Sequence, residues 1–171
     1  LANPGHALER FEEICDSMLK DVESLSKRKR MAKVYKADSR RKNVCIPDNS
    51  CDLCVTSPPY LNNLDYGEVS KVHSHFFELT KDWHDITETV RHELVTGATT
   101  HYKDCDFDLE TFQESEFALN NKELMAELIE KFHLIKRNTL GRKGKKSFHI
   151  LMMHYFDDMS HVLAEMPRVL K

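Results

Sequence analysis

Apolar residues recur at every third or fourth position over two long stretches of the chain, residues 6–27 and 108–136. This spacing is typical of amphipathic helices that bury one face. Two further helices are predicted at residues 67–80 and 147–171. The pattern of hydrophobic and polar positions therefore predicts a helix-rich chain.

Two short apolar runs lack the helical spacing and are predicted to be strands, at residues 31–37 and 51–56. The second run leads directly into a tetrapeptide of Ser57, Pro58, Pro59 and Tyr60. This place fits the rule that open α/β sheets bind ligands at the carboxyl ends of their strands. The 57–60 tetrapeptide is therefore the first candidate site.

The chemistry of the 57–60 tetrapeptide suits a flat ligand that carries N–H groups. Two adjacent prolines fix both φ angles and remove two backbone donors, so the Pro58 carbonyl and the Ser57 hydroxyl are left as rigid acceptors. The exocyclic amine of a nucleobase is a poor nucleophile because its lone pair is delocalised into the ring. Two acceptors that grip its hydrogens would free that lone pair, while Tyr60 stacks on the base.

Four segments of the chain occur in an order known from one enzyme family. They are residues 35–40 (YKADSR), 52–66 (DLCVTSPPYLNNLDY), 155–159 (YFDDM) and 168–171 (RVLK). In this order they resemble the S-adenosylmethionine-dependent DNA methyltransferases that modify the amino group of cytosine or adenine. The resemblance implies an α/β fold, a partial class I (Rossmann-like) methyltransferase fold that is helix-rich with few parallel strands.

The resemblance also implies roles for single residues. Asp38 would lie near the adenine ring of S-adenosylmethionine, the cofactor. The catalytic residues would hold a flipped base of double-stranded DNA, with Ser57, Pro58 and Tyr60 in contact with the base and Pro59 shaping the turn. Serine at the first position favours cytosine over adenine. A restriction endonuclease is compatible with this reading as a partner.

Asp65 and Tyr66 follow the tetrapeptide in a loop that borders the base pocket in the family. They are candidate substrate-binding residues by this resemblance. Asp65 is equally suited to cap the helix predicted at residues 67–80, and Tyr66 to pack against it. The sequence leaves both alternatives open.

The family resemblance also suggests a division of the chain into functional parts. Residues 1–82 would belong to the catalytic domain, residues 83–146 would be a mostly helical insertion for target recognition, and residues 147–171 would return to the catalytic domain. A basic loop near the end of the insertion suits contact with DNA phosphates and equally suits a solvated loop. Its candidate residues are Arg142, Lys143, Lys145 and Lys146.

The chain lacks the glycine pattern that forms the cofactor loop in this family. Its 5 glycines include no G-x-G pair after an apolar strand, and Ala37 stands where the family usually has glycine. We therefore expect an internal piece of a longer enzyme, inactive by itself. Two alternatives stay open, an RNA base methyltransferase and a non-catalytic nucleic-acid-binding remnant.

Composition limits the partners and the location. The net charge of −3 does not by itself indicate a nucleic-acid-binding chain, so phosphate contacts would depend on local basic clusters. No apolar run approaches the roughly 20 residues of a membrane span, and a cytoplasmic location without membrane contact is predicted. Cys51 and Cys54 lack a second pair of ligands, and no metal site is predicted.

Overall fold

The structure is a computed structural model that describes residues 4–25, 32–62, 64–101, 106–141, 143 and 147–171. Within these ranges the chain forms α-helices and short 3₁₀ turns, among them Arg91–Glu93. The helices are α1 (Pro4–Leu25), α2 (Tyr66–Phe76), α3 (Trp83–Thr89), α4 (Leu109–Gln113), α5 (Glu116–Asn120), α6 (Lys122–Thr139) and α7 (Phe148–Val169). The chain divides into two compact units, residues 1–36 and 37–171. The functional division at residues 82 and 146 stays a prediction.

The first unit contains α1, which confirms the helix predicted at residues 6–27 as far as Leu25. Its apolar side chains are exposed, and those more than half exposed are Leu8, Phe11, Met18, Leu19, Val22 and Leu25. The strand predicted at residues 31–37 is wrong over its described part, residues 32–37, which has no regular structure. A strand exists only through pairing, and no described segment pairs with these residues.

The predicted α/β fold is wrong for the described residues, which contain helices and no β-sheet. The run at residues 51–56 was expected to be a buried strand. Its β-type pairing is limited to one parallel bridge between Cys51 and Leu170. Leu53 and Val55 are 76% and 87% exposed. An apolar run becomes a buried strand only when neighbouring strands cover it, and the described part of the chain provides none.

The core of the second unit lies where α6 packs against α7, with α4 and α5 closing one side. On α6 the buried side chains follow the helical spacing, at Met125, Leu128 and Phe132. Phe107 joins this core, with its ring centroid 5.7 Å from that of Phe132. On α7 the first two turns are buried almost all round, and Met153 is fully buried. The helix α7 is therefore the most firmly held element of this unit.

The single helix predicted at residues 108–136 is divided into α4, α5 and α6. Ser115 caps α5, because its side chain accepts a hydrogen bond from the Ala118 N–H at 3.2 Å. Asn121 separates α5 from α6, and its side-chain amide donates to the Phe117 carbonyl at 2.8 Å. Serine and asparagine compete with the helical backbone in this way, which is why the helix is interrupted at both residues.

Two other predicted helices are confirmed with small changes at their ends. The helix predicted at residues 67–80 is α2, which ends earlier, at Phe76. The helix predicted at residues 147–171 is α7, which continues through Pro167 to Val169. Proline at this point removes one backbone hydrogen bond from the last turn and leaves the preceding turns intact.

Candidate functional site

The 57–60 tetrapeptide lies on an open surface of the second unit. Ser57 and Pro58 are exposed, Pro59 is half-buried, and Tyr60 is 66% exposed. Asn62 then turns the chain with a φ of 54°, in the left-handed region that asparagine tolerates better than most residues. A planar heterocycle can therefore reach both the tetrapeptide acceptors and the tyrosine ring.

The first anchor of the tetrapeptide is a hydrogen bond from the core. The Tyr155 hydroxyl, on α7, donates to the Pro59 carbonyl oxygen at 2.9 Å. Within the described part of the chain, neither the Ser57 hydroxyl nor the Pro58 carbonyl has a hydrogen-bond partner. One prolyl carbonyl is thus occupied, while the two groups expected to accept a base amine are available.

The second anchor lies before the tetrapeptide, where the backbone around Cys51 is bonded to the end of α7. The Cys51 N–H donates to the Val169 carbonyl at 2.8 Å, and the Lys171 N–H donates to the Cys51 carbonyl at 3.1 Å. The Lys171 ammonium also pairs with Asp52 at 2.7 Å, although both side chains are largely exposed. The backbone bonds therefore hold this end more than the ion pair does.

The third anchor, Asp65, lies after the tetrapeptide. Its carboxylate accepts from the Arg91 guanidinium at 2.8 and 3.1 Å and from the Thr100 hydroxyl at 2.7 Å. It also caps α2 by accepting from the Glu68 N–H at 3.2 Å. The capping alternative that the sequence left open for Asp65 is thus present in the structure. Tyr66 is the first residue of α2 and is 37% exposed, and contact of either residue with substrate stays a prediction.

Arg91 is buried, with a side chain only 3% exposed. Its guanidinium carbon lies 4.2 Å from the centroid of the Trp83 ring, and one of its nitrogens donates to the Thr87 hydroxyl at 2.6 Å. Burial raises the pKa of Asp65, but the hydrogen bonds from Arg91 and Thr100 outweigh burial and hold that pKa below its ordinary value of 3.8. The carboxylate is therefore charged and paired at neutral pH.

Asp38, the predicted cofactor residue, lies in a second ion-pair network. Its carboxylate accepts from the Arg40 guanidinium at 2.9 and 3.0 Å, and this bond lowers the pKa of Asp38 despite partial burial. Arg40 also reaches Asp158 on α7 at 3.3 Å. Asp158 in turn accepts from the N–H and the hydroxyl of Thr96 at 2.8 and 2.7 Å. Asp38 is thus tied to α7, and its contact with a cofactor stays a prediction.

The predicted basic loop is described only at Lys143, which is exposed. Arg142, Lys145 and Lys146 lie outside the described residues. In the described ranges, no group of three or more histidine, cysteine, aspartate or glutamate side chains is placed to hold a metal ion. None of the helices in those ranges has the length and apolarity required to span a membrane.

Comparison with known proteins adds nothing to the geometry. No protein-family model, curated protein or solved structure matches this chain. The interpretation of the site therefore depends on the chemistry of its own residues and on the motifs read from the sequence.

Sequence reasoning missed the residues that hold the site in place. They are Arg40, Arg91, Thr96, Thr100, Tyr155 and Asp158. Arg40, Tyr155 and Asp158 do lie in segments that resemble the family, but the resemblance assigned no role to them. Asp158 follows another carboxylate, Asp157, on the same helix, so its neighbours in the sequence did not single it out. No local signal marked Arg91.

Two cavities lie close to the tetrapeptide. One has a volume of about 440 Å³ and is lined by Leu61 and Asn62, the residues after Tyr60, and by Met152 of α7. The other, of about 620 Å³, is a largely apolar groove between α5, α6 and α7 that includes Tyr155. Both volumes fall in the range of small-molecule sites. None of residues 57–60 lines either cavity, and the cavities adjoin the tetrapeptide through Leu61 and Tyr155.

The stability contributed by the Asp65 carboxylate is expected to be lost in acid. Its folded pKa lies below its unfolded pKa, so its contribution is fully present above about pH 4 and falls as the pH drops through the folded value. We expect the difference in unfolding free energy between wild type and Asp65→Asn to shrink below about pH 4. Urea unfolding at several pH values checks this, and a difference that stays constant in acid would contradict it.

Proposed function

We propose that this chain holds the target base in an S-adenosylmethionine-dependent DNA methyltransferase that modifies the exocyclic amino group of cytosine or adenine. The observation that supports the proposal is the accessible acceptor pair of the Ser57 hydroxyl and the Pro58 carbonyl, next to the exposed Tyr60 ring. The resemblance of the sequence to this family supplies the reaction. Double-stranded DNA as substrate and a restriction endonuclease as partner belong to the same proposal.

The proposed chemistry follows from the two acceptors. An amine on a base ring has two N–H hydrogens, which match one hydroxyl oxygen and one carbonyl oxygen in number and in hydrogen-bonding role. When both hydrogens are held, the nitrogen becomes less planar and its lone pair is released from the ring toward an electrophile. The ring of Tyr60 would carry the stacking that holds a base outside its duplex.

Both carboxylate oxygens of Asp38 accept from Arg40, at 2.9 and 3.0 Å. This pairing gives no independent support for a cofactor site, and contact of Asp38 with S-adenosylmethionine stays a prediction. The proposal for this chain is therefore limited to holding and activating the amine. The methyl donor is inferred from the family resemblance alone.

Replacing Ser57 by alanine is expected to lower methyl transfer about tenfold, the effect of losing one hydrogen bond of roughly 1.4 kcal/mol. The assay uses the longest natural polypeptide that contains this sequence, with tritiated S-adenosylmethionine and either unmethylated duplex DNA or unmodified tRNA. Ser17→Ala, an exposed serine on α1, is the control and should keep the wild-type rate.

The outcomes separate the three readings of the sequence. Transfer to duplex DNA that falls in Ser57→Ala supports the proposal. Transfer only to tRNA identifies the RNA base methyltransferase, and transfer to neither polymer identifies the non-catalytic remnant. Transfer to DNA that Ser57→Ala leaves unchanged removes the hydroxyl from the mechanism.

A further inference from the structure

Tyr155 belongs to the part of the second unit that is held most firmly. Its neighbours Met152, Met153 and Met159 on α7 are buried, and its ring meets that of Phe156 edge to face, with centroids 5.7 Å apart. A side chain in this setting has little freedom to follow a moving loop. The position of the Tyr155 hydroxyl is therefore fixed by the core and not by the tetrapeptide.

The bond from Tyr155 acts on a particular peptide group. The Pro59 carbonyl belongs to the planar peptide that joins Pro59 to Tyr60, so holding its oxygen holds the whole plane. The proline ring already fixes φ of Pro59, and the remaining free dihedral of that residue is ψ. One hydrogen bond thus fixes the peptide plane that leads into Tyr60, and with it the position of the Tyr60 Cα.

The same bond makes the two prolyl carbonyls unequal. The Pro59 oxygen already accepts one hydrogen bond from Tyr155, whereas the Pro58 oxygen, beside the Ser57 hydroxyl, has no partner among the described residues. The sequence already favours the Pro58 carbonyl as the acceptor. The bond from Tyr155 to the Pro59 carbonyl, between residues 96 positions apart, is consistent with that choice.

We infer that Tyr155 is a positioning residue for the proposed reaction. Its hydroxyl holds the Tyr60 ring and the Ser57–Pro58 acceptor pair in the geometry that the target base requires. The inference depends on the proposed function. It predicts that the Tyr155 hydroxyl contributes to turnover through the geometry of the tetrapeptide, without contact with the base. A bond that only stabilised the fold would change the unfolding midpoint and leave the turnover of folded protein unchanged.

The test compares two side chains of the same shape at position 155, in the longest natural polypeptide that contains this sequence. Tyr155→Phe removes the donor, and 4-aminophenylalanine at the same position restores a donor on the same ring. We expect Tyr155→Phe to lower kcat about five- to tenfold with little change in the KM for S-adenosylmethionine. We expect 4-aminophenylalanine to return kcat to within about twofold of wild type.

Ser17→Ala again serves as the control, because it removes an exposed hydroxyl on α1, outside the four segments that resemble the family. Unfolding midpoints are measured for every variant, so that kcat refers to folded protein. If wild type transfers methyl groups and Tyr155→Phe does so at the same rate, the inference is overturned and the proposed function stands. If 4-aminophenylalanine is as slow as phenylalanine, the donor is not the cause and the inference is also overturned. A wild-type protein without transfer overturns both.

Discussion

Replacing Arg91 by methionine is expected to lower the free energy of unfolding of the second unit by about 3–5 kcal/mol. Methionine keeps an aliphatic stem beside Trp83 and removes the guanidinium. The Asp65 carboxylate, whose side chain is only 14% exposed, then loses its three hydrogen-bond contacts with Arg91 and keeps its charge. A charge left without its partner in a site of low exposure is more costly than the loss of the bonds alone.

Urea or thermal unfolding of purified variants measures this effect. Arg41→Met is the control, because Arg41 is 84% exposed and should change the free energy of unfolding by less than about 0.5 kcal/mol. The double variant Arg91→Met with Asp65→Asn also removes the unpaired Asp65 charge. We expect its free energy of unfolding to be higher than that of Arg91→Met alone. An Arg91→Met variant within about 1 kcal/mol of wild type would show that water compensates for the missing guanidinium.

Tyr60→Ala is expected to weaken binding of the target base by roughly 1–3 kcal/mol, which corresponds to about five- to 150-fold in affinity. The ring is 66% exposed, so its removal should leave the fold almost unchanged while it deletes the stacking surface. Binding is followed by the fluorescence of 2-aminopurine placed in an oligonucleotide, alongside kcat/KM for methyl transfer.

Tyr60→Phe is the matched variant for this experiment, since it keeps the ring and removes only the hydroxyl. We expect it to bind within about threefold of wild type. Equal affinity of wild type and Tyr60→Ala would exclude stacking on this ring. A loss shared by Tyr60→Phe would indicate that the hydroxyl, and not the ring surface, makes the contact.

The helices were predictable because their signal is local. The spacing of Met125, Leu128 and Phe132 identifies one buried face without any knowledge of what covers it. The interruptions at Ser115 and Asn121 were also encoded locally, in residues that prefer helix ends, but the strong apolar periodicity on either side concealed them. Local patterns thus predicted which segments are helical, but not where each helix begins and ends.

Neither the absence of a sheet in the described residues nor the anchors of the tetrapeptide could be predicted, because both depend on partners far away in the chain. Leu53 and Val55 have the composition of a buried strand, yet burial is decided by neighbours and not by the run itself. Arg91 and Asp65 are separated by 26 positions, and Tyr155 and Pro59 by 96. The tetrapeptide was found because its chemistry lies in consecutive residues, whereas its supports do not.

The helix α7 holds residues 51–59 at both ends, although the described residues contain no sheet. Cys51 is bonded at the far end of this helix and Pro59 is bonded at Tyr155, near its middle. A displacement of α7 would therefore be transmitted to the tetrapeptide segment at two separate points.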